Sequence, residues 1–598
     1  MGRERKHMNM LLMAAAIALD AQQQPIYDAI YEPKIVAEQP NHTHKEMVMM
    51  PDGEIRYYGA DLVGKEKRKV YLSSRDRGLS WTTKLWLDGW GPMAYCPWGD
   101  FYYTMDFVDT GKGGRMRFMR SRRGPDDPDR TFVKTDVGTL NFFRPMQPCE
   151  KNRLLIFGGA RNVSDPVSGW TWERPALAIS ADDGATWREV VVTNAVSTYG
   201  KPVFFDKSLR WDNGCCESTV VELSTGELWM ACRATLRHHY LYKSKDGGRT
   251  WSGPEKMAGF YASNTMPTFF KLKDGRILFF WNNTEPLAKR DPKEYPELFK
   301  RELGGHGETV FTNRDALHVA ISDDDGKTWK GFREVALNSL RNCPDFRMIG
   351  NARCEENDKS VHQTQPMELP GGKILLAYGQ GASRRICLFD VRWILEKGRF
   401  DDFTQGLGGL SNHLFVRSRN GACRIMYTGH CAFNRIPGAA LVRRPDMDQG
   451  VIYDCLQVCR IRDERLDNDH QGVAWNFPAA LKGRIELDCR VGGEGVRFAL
   501  CDRWINPGDE HAADYAAFSF PIDAAALGGR DAWKKLVVSW DWKARTATVA
   551  CGDTRRTFGL KTEGLSPYGP SYLHLQSVAE AHDPKGVYFR SFKMTAED

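Results

Sequence analysis

Hydrophobic and polar residues alternate over short stretches of this chain, and glycine-containing turns separate the stretches. Apolar runs flank a turn in Met47–Tyr58 (Asp52-Gly53), Val220–Met230 (Thr225-Gly226), Thr268–Phe280 (Asp274-Gly275) and Met367–Tyr378 (Gly371-Gly372). Looser copies occupy Pro148–Gly158 and Phe415–Tyr427. A period of two around glycine turns predicts antiparallel hairpins. Six such units before about residue 450, without long helical periodicity, predict a repeated all-β architecture. Arg443–Gln449 then reads as a connection, with Pro445 inside a polar run. Beyond it, alternating stretches at Arg484–Arg490, Val496–Leu500, Tyr515–Phe520, Lys535–Trp542, Thr546–Cys551, Tyr572–Gln576 and Val587–Lys593 predict a β-sandwich over 451–598.

A second repeat is sharper. Ser74-Arg-Asp76-Arg-Gly78-Leu-Ser-Trp81 recurs in related form at Ser180–Trp187, Ser244–Trp251 and Ser322–Trp329. An aspartate at the third position can fold its carboxylate onto nearby backbone N–H groups. The glycine supplies positive φ, and the tryptophan packs on the sheet. This Ser-x-Asp-x-Gly-x-x-Trp turn is the Asp-box, and with it the chain resembles the sialidase superfamily. The resemblance implies a six-bladed β-propeller over 26–450, followed by the sandwich, similar to a lectin-like jelly roll. It also puts the boxes at the periphery, so that they specify fold and not chemistry.

The resemblance continues in Asn213-Gly-Cys-Cys-Glu217-Ser-Thr-Val-Val-Glu-Leu-Ser-Thr-Gly-Glu-Leu-Trp-Met-Ala-Cys-Arg233. In that family such a segment carries a glutamate supporting the nucleophile and an arginine gripping the substrate carboxylate. This implies Glu217 as a catalytic carboxylate and Arg233 as a clamp residue. A purely structural ion pair between the two is the alternative. Thr312-Asn-Arg314-Asp leads into a later box in the manner of a further clamp arginine, which implies Arg314. Two planar guanidinium groups converging on one point suit an anionic substrate group.

The chain also departs from the family. Where the first clamp arginine is expected stands Asn41-His42-Thr43-His44-Lys45-Glu46, with His44 or Lys45 nearest its place. Where the tyrosine nucleophile is expected stands Ser360-Val-His362-Gln363, with His362 or Gln363 there. Asp61 is a loose match to the family's general acid, and Arg237, in Arg237-His238-His239-Tyr240, is a candidate cleft residue. Without the tyrosine, three functions stay open: a sialidase-like glycoside hydrolase acting on an acidic sugar, a uronate-specific polysaccharide lyase, and a non-catalytic glycan-binding propeller.

Composition narrows the classes little further. The 598 residues carry a net charge of +7, with no Lys/Arg run or basic aromatic stripe that would suit nucleic acid. No stretch is long enough to span a membrane. The 15 cysteines lack C-x-x-C spacing and read as small buried residues, so neither a metal nor a cofactor is expected. The segment 1–25 has basic residues before the apolar run Met10–Leu19. It reads as a short amphipathic helix, with a signal peptide ending near Ala21 as the alternative. The odd, high cysteine count favours the first and a cytoplasmic setting. In the C-terminal region, Cys501–Asp509 mixes Trp504 with carboxylates, which suits either a sugar- or calcium-binding loop or a packed turn. Oligomeric state has no signature in the sequence.

Overall fold

A computed structural model of the protein describes residues 19, 22–39, 47–63, 66–86, 93–108, 114–124, 127–164, 171–192, 215–234, 238–262, 265–285, 314–337, 360–380, 383–416, 434–447, 453–461, 471–509 and 511–597. The chain is all-β: among the described residues its helices, such as Gln23–Ala29 and Val391–Ile394, are short. No helix among the described residues is long and apolar enough to cross a membrane.

Among the described residues, six four-stranded antiparallel sheets follow one another. The first is Met47–Met49, Ile55–Val63, Glu66–Ser74 and Thr82–Leu85, and the second Met93–Cys96, Phe101–Val108, Arg115–Ser121 and Thr131–Gly138. The third is Asn141–Pro145, Leu155–Ser164, Thr171–Ser180 and Arg188–Val191, and the fourth Cys215–Glu222, Leu228–Ala234, His238–Ser244 and Ser252–Tyr261. The fifth is Thr268–Lys271, Ile277–Trp281, Ala316–Ser322 and Lys330–Leu337. The sixth takes Gln365–Leu369, Lys373–Tyr378 and Arg385–Asp390, and borrows its fourth strand, Lys34–Glu38, from the N-terminal side. Lys34 lies opposite Leu388 and Glu38 opposite Arg385.

Apolar side chains fill the space between consecutive sheets, because each strand presents alternate residues to either face. Tyr58 of the first meets Tyr102 and Met119 of the second. Phe118 of the second stacks on Trp187 of the third, with ring centroids 4.0 Å apart. Leu177 of the third packs with Met230 of the fourth. Ala231 of the fourth packs with Phe279 of the fifth, and Val319 of the fifth with Phe389 of the sixth. Leu375 and Leu388 of the sixth then pack with Ile55 and Leu72 of the first, so the series returns to its start.

Each Asp-box joins the third strand of its sheet to the fourth. In the first, Asp76 Oδ1 accepts from Ser74 Oγ (2.8 Å) and Ser80 N (2.9 Å), and Trp81 Nε1 donates to Gly78 O (2.9 Å). The same two aspartate contacts recur at Asp182, Asp246 and Asp324. The glycine is also where a box meets the preceding sheet: an added Cβ on Gly248 would lie 2.8 Å from Ile179, and one on Gly326 2.3 Å from Trp229.

The six hairpin units expected from the sequence differ from the six sheets in one member. Phe415 and Val416 pair with Arg435 and Asn434 in a two-stranded ribbon, and the rest of the unit expected at Phe415–Tyr427 lies outside the described residues. The remaining four-stranded sheet is instead the second, 93–138. It lacks an Asp-box because its outer turn spreads the same groups more widely. There Asp127 Oδ2 accepts from Arg122 N (2.8 Å), and Ser121 Oγ donates to Gly124 O (2.6 Å).

C-terminal to the sixth sheet, an eight-stranded and a five-stranded sheet share one apolar core that includes Trp475, Phe498, Leu536 and Phe592. The change of partner comes earlier than the polar run at 443–449. Gly398–Asp401 already pairs with Asp583–Ala596, Leu410–Ser411 with Gly472–Asn476, and Ala440–Val442 with Cys455–Arg460. Pro445 and Asp446, in that run, form a turn inside this region. The sixth sheet ends at Asp390, which caps the short helix Val391–Ile394 by accepting from Arg392 N. The segment 1–18, on which the leader reading turned, lies outside the described residues.

Two glycine substitutions separate backbone strain from packing. Gly326 (φ +79°) faces Trp229, whereas Gly275 (φ +93°) has nothing within 4 Å of an added Cβ. Gly275→Ala is expected to cost about 1–2 kcal/mol for the left-handed backbone, and Gly326→Ala about 1–3 kcal/mol more for overpacking. Denaturant titration of both variants measures the difference, and equal losses would contradict this packing of boxes on sheets.

Candidate active site

The meander puts particular strand ends together. In an antiparallel four-strand sheet, the start of the first strand, the end of the second and the start of the third share one edge. The Asp-box turns lie at the opposite edge. Glu217 lies near the start of Cys215–Glu222 and Arg233 near the end of Leu228–Ala234. Arg314 lies two residues before Ala316–Ser322 begins, and His362 precedes Gln365–Leu369. All four therefore lie on the same side of the fourth, fifth and sixth sheets.

Glu217 is aimed there by a backbone irregularity. Cys216 pairs with Arg233 and Thr219 with Ala231, so Glu217 and Ser218 together oppose Cys232. Glu217 has φ +47°, a left-handed value for a residue with a Cβ. Such a bulge turns a side chain out of the regular alternation, at a cost in strain that native structures retain mainly at functional positions. Gln363, beside His362, is left-handed too, with φ +57°.

The side chains converge in a buried cluster. Glu217, Arg233, Arg314 and His362 are each less than a tenth exposed. Arg233 Nη1 donates to Glu217 Oε2 at 2.7 Å. Arg314 Nη1 lies 3.4 Å from His362 Nε2, and His362 Nε2 in turn lies 2.6 Å from Gln380 Oε1. Burial alone would push the Glu217 carboxyl up, but Arg233, His362 and Arg314 hold it at about 2, so it stays ionised. Below them Arg144 ties three sheets, donating to Ser218 O (3.3 Å), Thr268 Oγ1 (3.1 Å) and Pro267 O (2.6 Å).

A second carboxyl group belongs to this cluster. Glu173, half-buried at the start of Thr171–Ser180, hydrogen-bonds the Cys216 side chain and lies within electrostatic reach of Arg233 and Glu217. Burial raises its pKa, against the hydrogen bond from Cys216 and the charge of Arg233, and Glu217 raises it further. One carboxyl group is thus driven toward the ionised form and its neighbour toward the protonated form.

Four of the residues singled out in the sequence are therefore brought together: Glu217, Arg233, Arg314 and His362. Asp61 lies near the end of Ile55–Val63, opposite Arg68, at the corresponding edge of the first sheet, and its side chain is outside the described set. His44, Lys45 and Arg237 lie outside the described residues. Sequence reading missed Glu173, Gln380 and Arg144. Glu173 could have been found from its place, since it opens the third strand of a box-bearing sheet as Arg314 does. Among the described residues, no group of three or more His, Cys, Asp or Glu side chains is placed to hold a metal ion. The loop at Cys501–Asp509 is a packed turn: Asp502, Arg503 and Trp504 are buried against the fifth sheet. A cleft of about 1460 Å³ lies elsewhere, between the fifth and sixth sheets and the C-terminal sheet, with Glu334, Arg399 and Asp401 on its walls.

Removing one charge of the Glu217–Arg233 pair strands the other in a dry environment. Glu217→Gln is expected to destabilise the protein by about 3–5 kcal/mol. The double variant Glu217→Gln/Arg233→Met is expected to lose less than the sum of the two single losses. A double-mutant cycle in denaturant checks this, and strict additivity would contradict a coupled pair.

Residues 152–343, which include Glu173, Glu217, Arg233 and Arg314, match the protein family described as BNR repeat-like domain. No curated protein matches the chain. Among solved structures it is similar to a protein of unknown function from Dyadobacter fermentans, with 16% identity, 60% of this chain and 98% of that one covered, and a TM-score of 0.36. It is also similar to Trypanosoma rangeli sialidase in complex with sialic acid, with 11% identity, 95% of each chain covered and a TM-score of 0.34. A third is NanB sialidase from Streptococcus pneumoniae, with 11% identity, 63% of this chain and 73% of that one covered, and a TM-score of 0.35. Three of the four Asp-box turns, those at Ser180–Trp187, Ser244–Trp251 and Ser322–Trp329, lie within the region that matches the BNR repeat-like domain.

Proposed function

We propose that this protein is a glycoside hydrolase acting on a carboxylate-bearing sugar, built on a six-bladed propeller followed by a lectin-like sandwich that begins near residue 398. The cyclic sequence of inter-sheet cores supports the propeller, and the two sheets sharing one core support the sandwich. The observation that carries the functional reading is the bulged, ionised Glu217 between two guanidinium groups, Arg233 and Arg314, at one edge of adjacent sheets.

In this reading Arg233 and Arg314 orient the sugar carboxylate, since bidentate guanidinium groups favour planar anions. Glu173, whose pKa is raised by burial, donates its proton in its protonated form to the glycosidic oxygen as the bond to the anomeric carbon breaks. The cationic carbon is stabilised by the Glu217 carboxylate. Water then attacks that carbon and returns its proton to Glu173, which regenerates the acid. His362 replaces the family's tyrosine beside Arg314, so no covalent tyrosyl intermediate is invoked. Asp61 is the competing acid, and His44, Lys45 and Arg237 would complete the carboxylate site and its rim.

Hydrolysis of 4-methylumbelliferyl glycosides of sialic, glucuronic and galacturonic acids tests the reading. A protonated acid is fully present below its pKa and is lost as pH rises through it. Activity is therefore expected to fall on the alkaline side, and Glu173→Gln to abolish that limb while lowering kcat about 10²–10⁴-fold. An unchanged limb in Glu173→Gln together with its loss in Asp61→Asn would transfer the role to Asp61. Undiminished hydrolysis by Glu217→Gln would overturn the site. An ultraviolet-absorbing unsaturated product would make the protein a uronate lyase instead.

A further inference from the structure

Four consecutive residues after the strand Ile277–Trp281 look both ways. Asn282 is wholly buried, and its Nδ2 donates to Ala316 O (2.6 Å) and Val361 O (3.0 Å). Those carbonyls lie two residues after Arg314 and one before His362. The two segments are also tied directly, since Val361 N donates to Arg314 O at 2.8 Å. Asn282 is thus a clasp on the backbone that carries both side chains.

The next three residues are held by the C-terminal region. Asn283 Nδ2 donates to Asp502 O (3.0 Å), Trp504 N to Asn283 O (2.9 Å) and Glu285 N to Trp504 O (2.8 Å). Arg503 is buried between two carboxylates, with Nε on Glu285 Oε2 (2.8 Å) and Nη1 on Asp502 Oδ1 (2.6 Å), and it lies over the Tyr261 ring at 4.0 Å. Tyr261 OH donates to Asp502 Oδ2 at 2.9 Å. A buried cation between two buried anions has one low-energy arrangement, so this contact defines a position more narrowly than an apolar interface would. A parallel contact joins His318 Nε2 to Tyr572 OH (2.6 Å), and Tyr572 in turn donates to Glu334 Oε2 (2.7 Å).

We infer that the C-terminal sheets act as a strut for the active site: residues 501–504 fix residues 282–285, and through Asn282 they position Arg314 and His362. Asn282 and Arg503 are positioning residues, since neither is placed to touch a substrate. Only the catalytic consequence rests on the glycosidase reading, because hydrogen exchange registers the coupling without substrate.

Arg503→Lys keeps the buried charge but loses the fork that spans Asp502 and Glu285, and Asn282→Ala removes the clasp. In each, hydrogen exchange followed by mass spectrometry is expected to speed up about tenfold at 314–317 and 360–363, with the first two sheets unchanged. Tyr261→Phe, which deletes one hydroxyl, gives the same readout if Arg503→Lys fails to fold. Faster exchange at 501–509 with undisturbed protection at 314–317 and 360–363 would overturn the coupling. Faster exchange throughout the protein would overturn it as well, by making the strut a prop for the whole fold. On the 4-methylumbelliferyl glycosides, Asn282→Ala is expected to lower kcat about tenfold with a smaller change in KM. If the wild-type protein cleaves none of them, the glycosidase reading fails while the exchange result stands or falls on its own.

Discussion

Everything at the site depends on a circular series of sheets returning to its beginning. The sixth sheet has only three strands of its own in sequence order, and its fourth, Lys34–Glu38, precedes the first sheet in the chain. That one antiparallel pairing covers an edge that would otherwise expose unpaired backbone groups. The first sheet then packs on the sixth through Ile55, Leu72, Leu375 and Leu388. Because each sheet presents the same strand ends to the same side, closure also brings carboxylates, guanidinium groups and an imidazole from different sheets toward a common place.

Charge is the second constraint. Glu217, Arg233, Arg314 and His362 are buried, and a buried charge is tolerated only beside a partner. The arrangement meets that condition and separates the behaviour of two neighbouring carboxyl groups. Glu217 is held ionised by its cations, while Glu173, half-buried and beside a negative neighbour, is held toward its protonated form. Two acids driven apart in this way form the division of labour that acid–base chemistry needs.

The turns were the most legible part of the sequence, because their geometry is local. Asp76, Asp182, Asp246 and Asp324 make the backbone contacts that their spacing implies, and the glycines take positive φ. Glu217, Arg233 and Arg314 were legible through their neighbours in a known motif, and His362 through its distance from a turn glycine. Glu173 was not, since its role comes from Cys216 and Arg233 in the next sheet, which are far away in sequence. The second sheet escaped for a similar reason: its outer turn uses Ser121, Gly124 and Asp127 at wider spacing. The polar run at 443–449 misled about where the C-terminal sheets begin, because a proline marks a turn as readily as a boundary. The loop at Cys501–Asp509, whose composition also suited ligand binding, proves to be interior, with the Asp502 carboxylate already paired to Arg503 and Tyr261.

The most direct test of the central claim is a crystal structure of the protein with a bound acidic monosaccharide, such as sialic or glucuronic acid. The sugar carboxylate is expected against the guanidinium groups of Arg233 and Arg314, with the anomeric carbon facing Glu217. A sugar seated away from both arginines, or one whose carboxylate points to solvent, would contradict that claim.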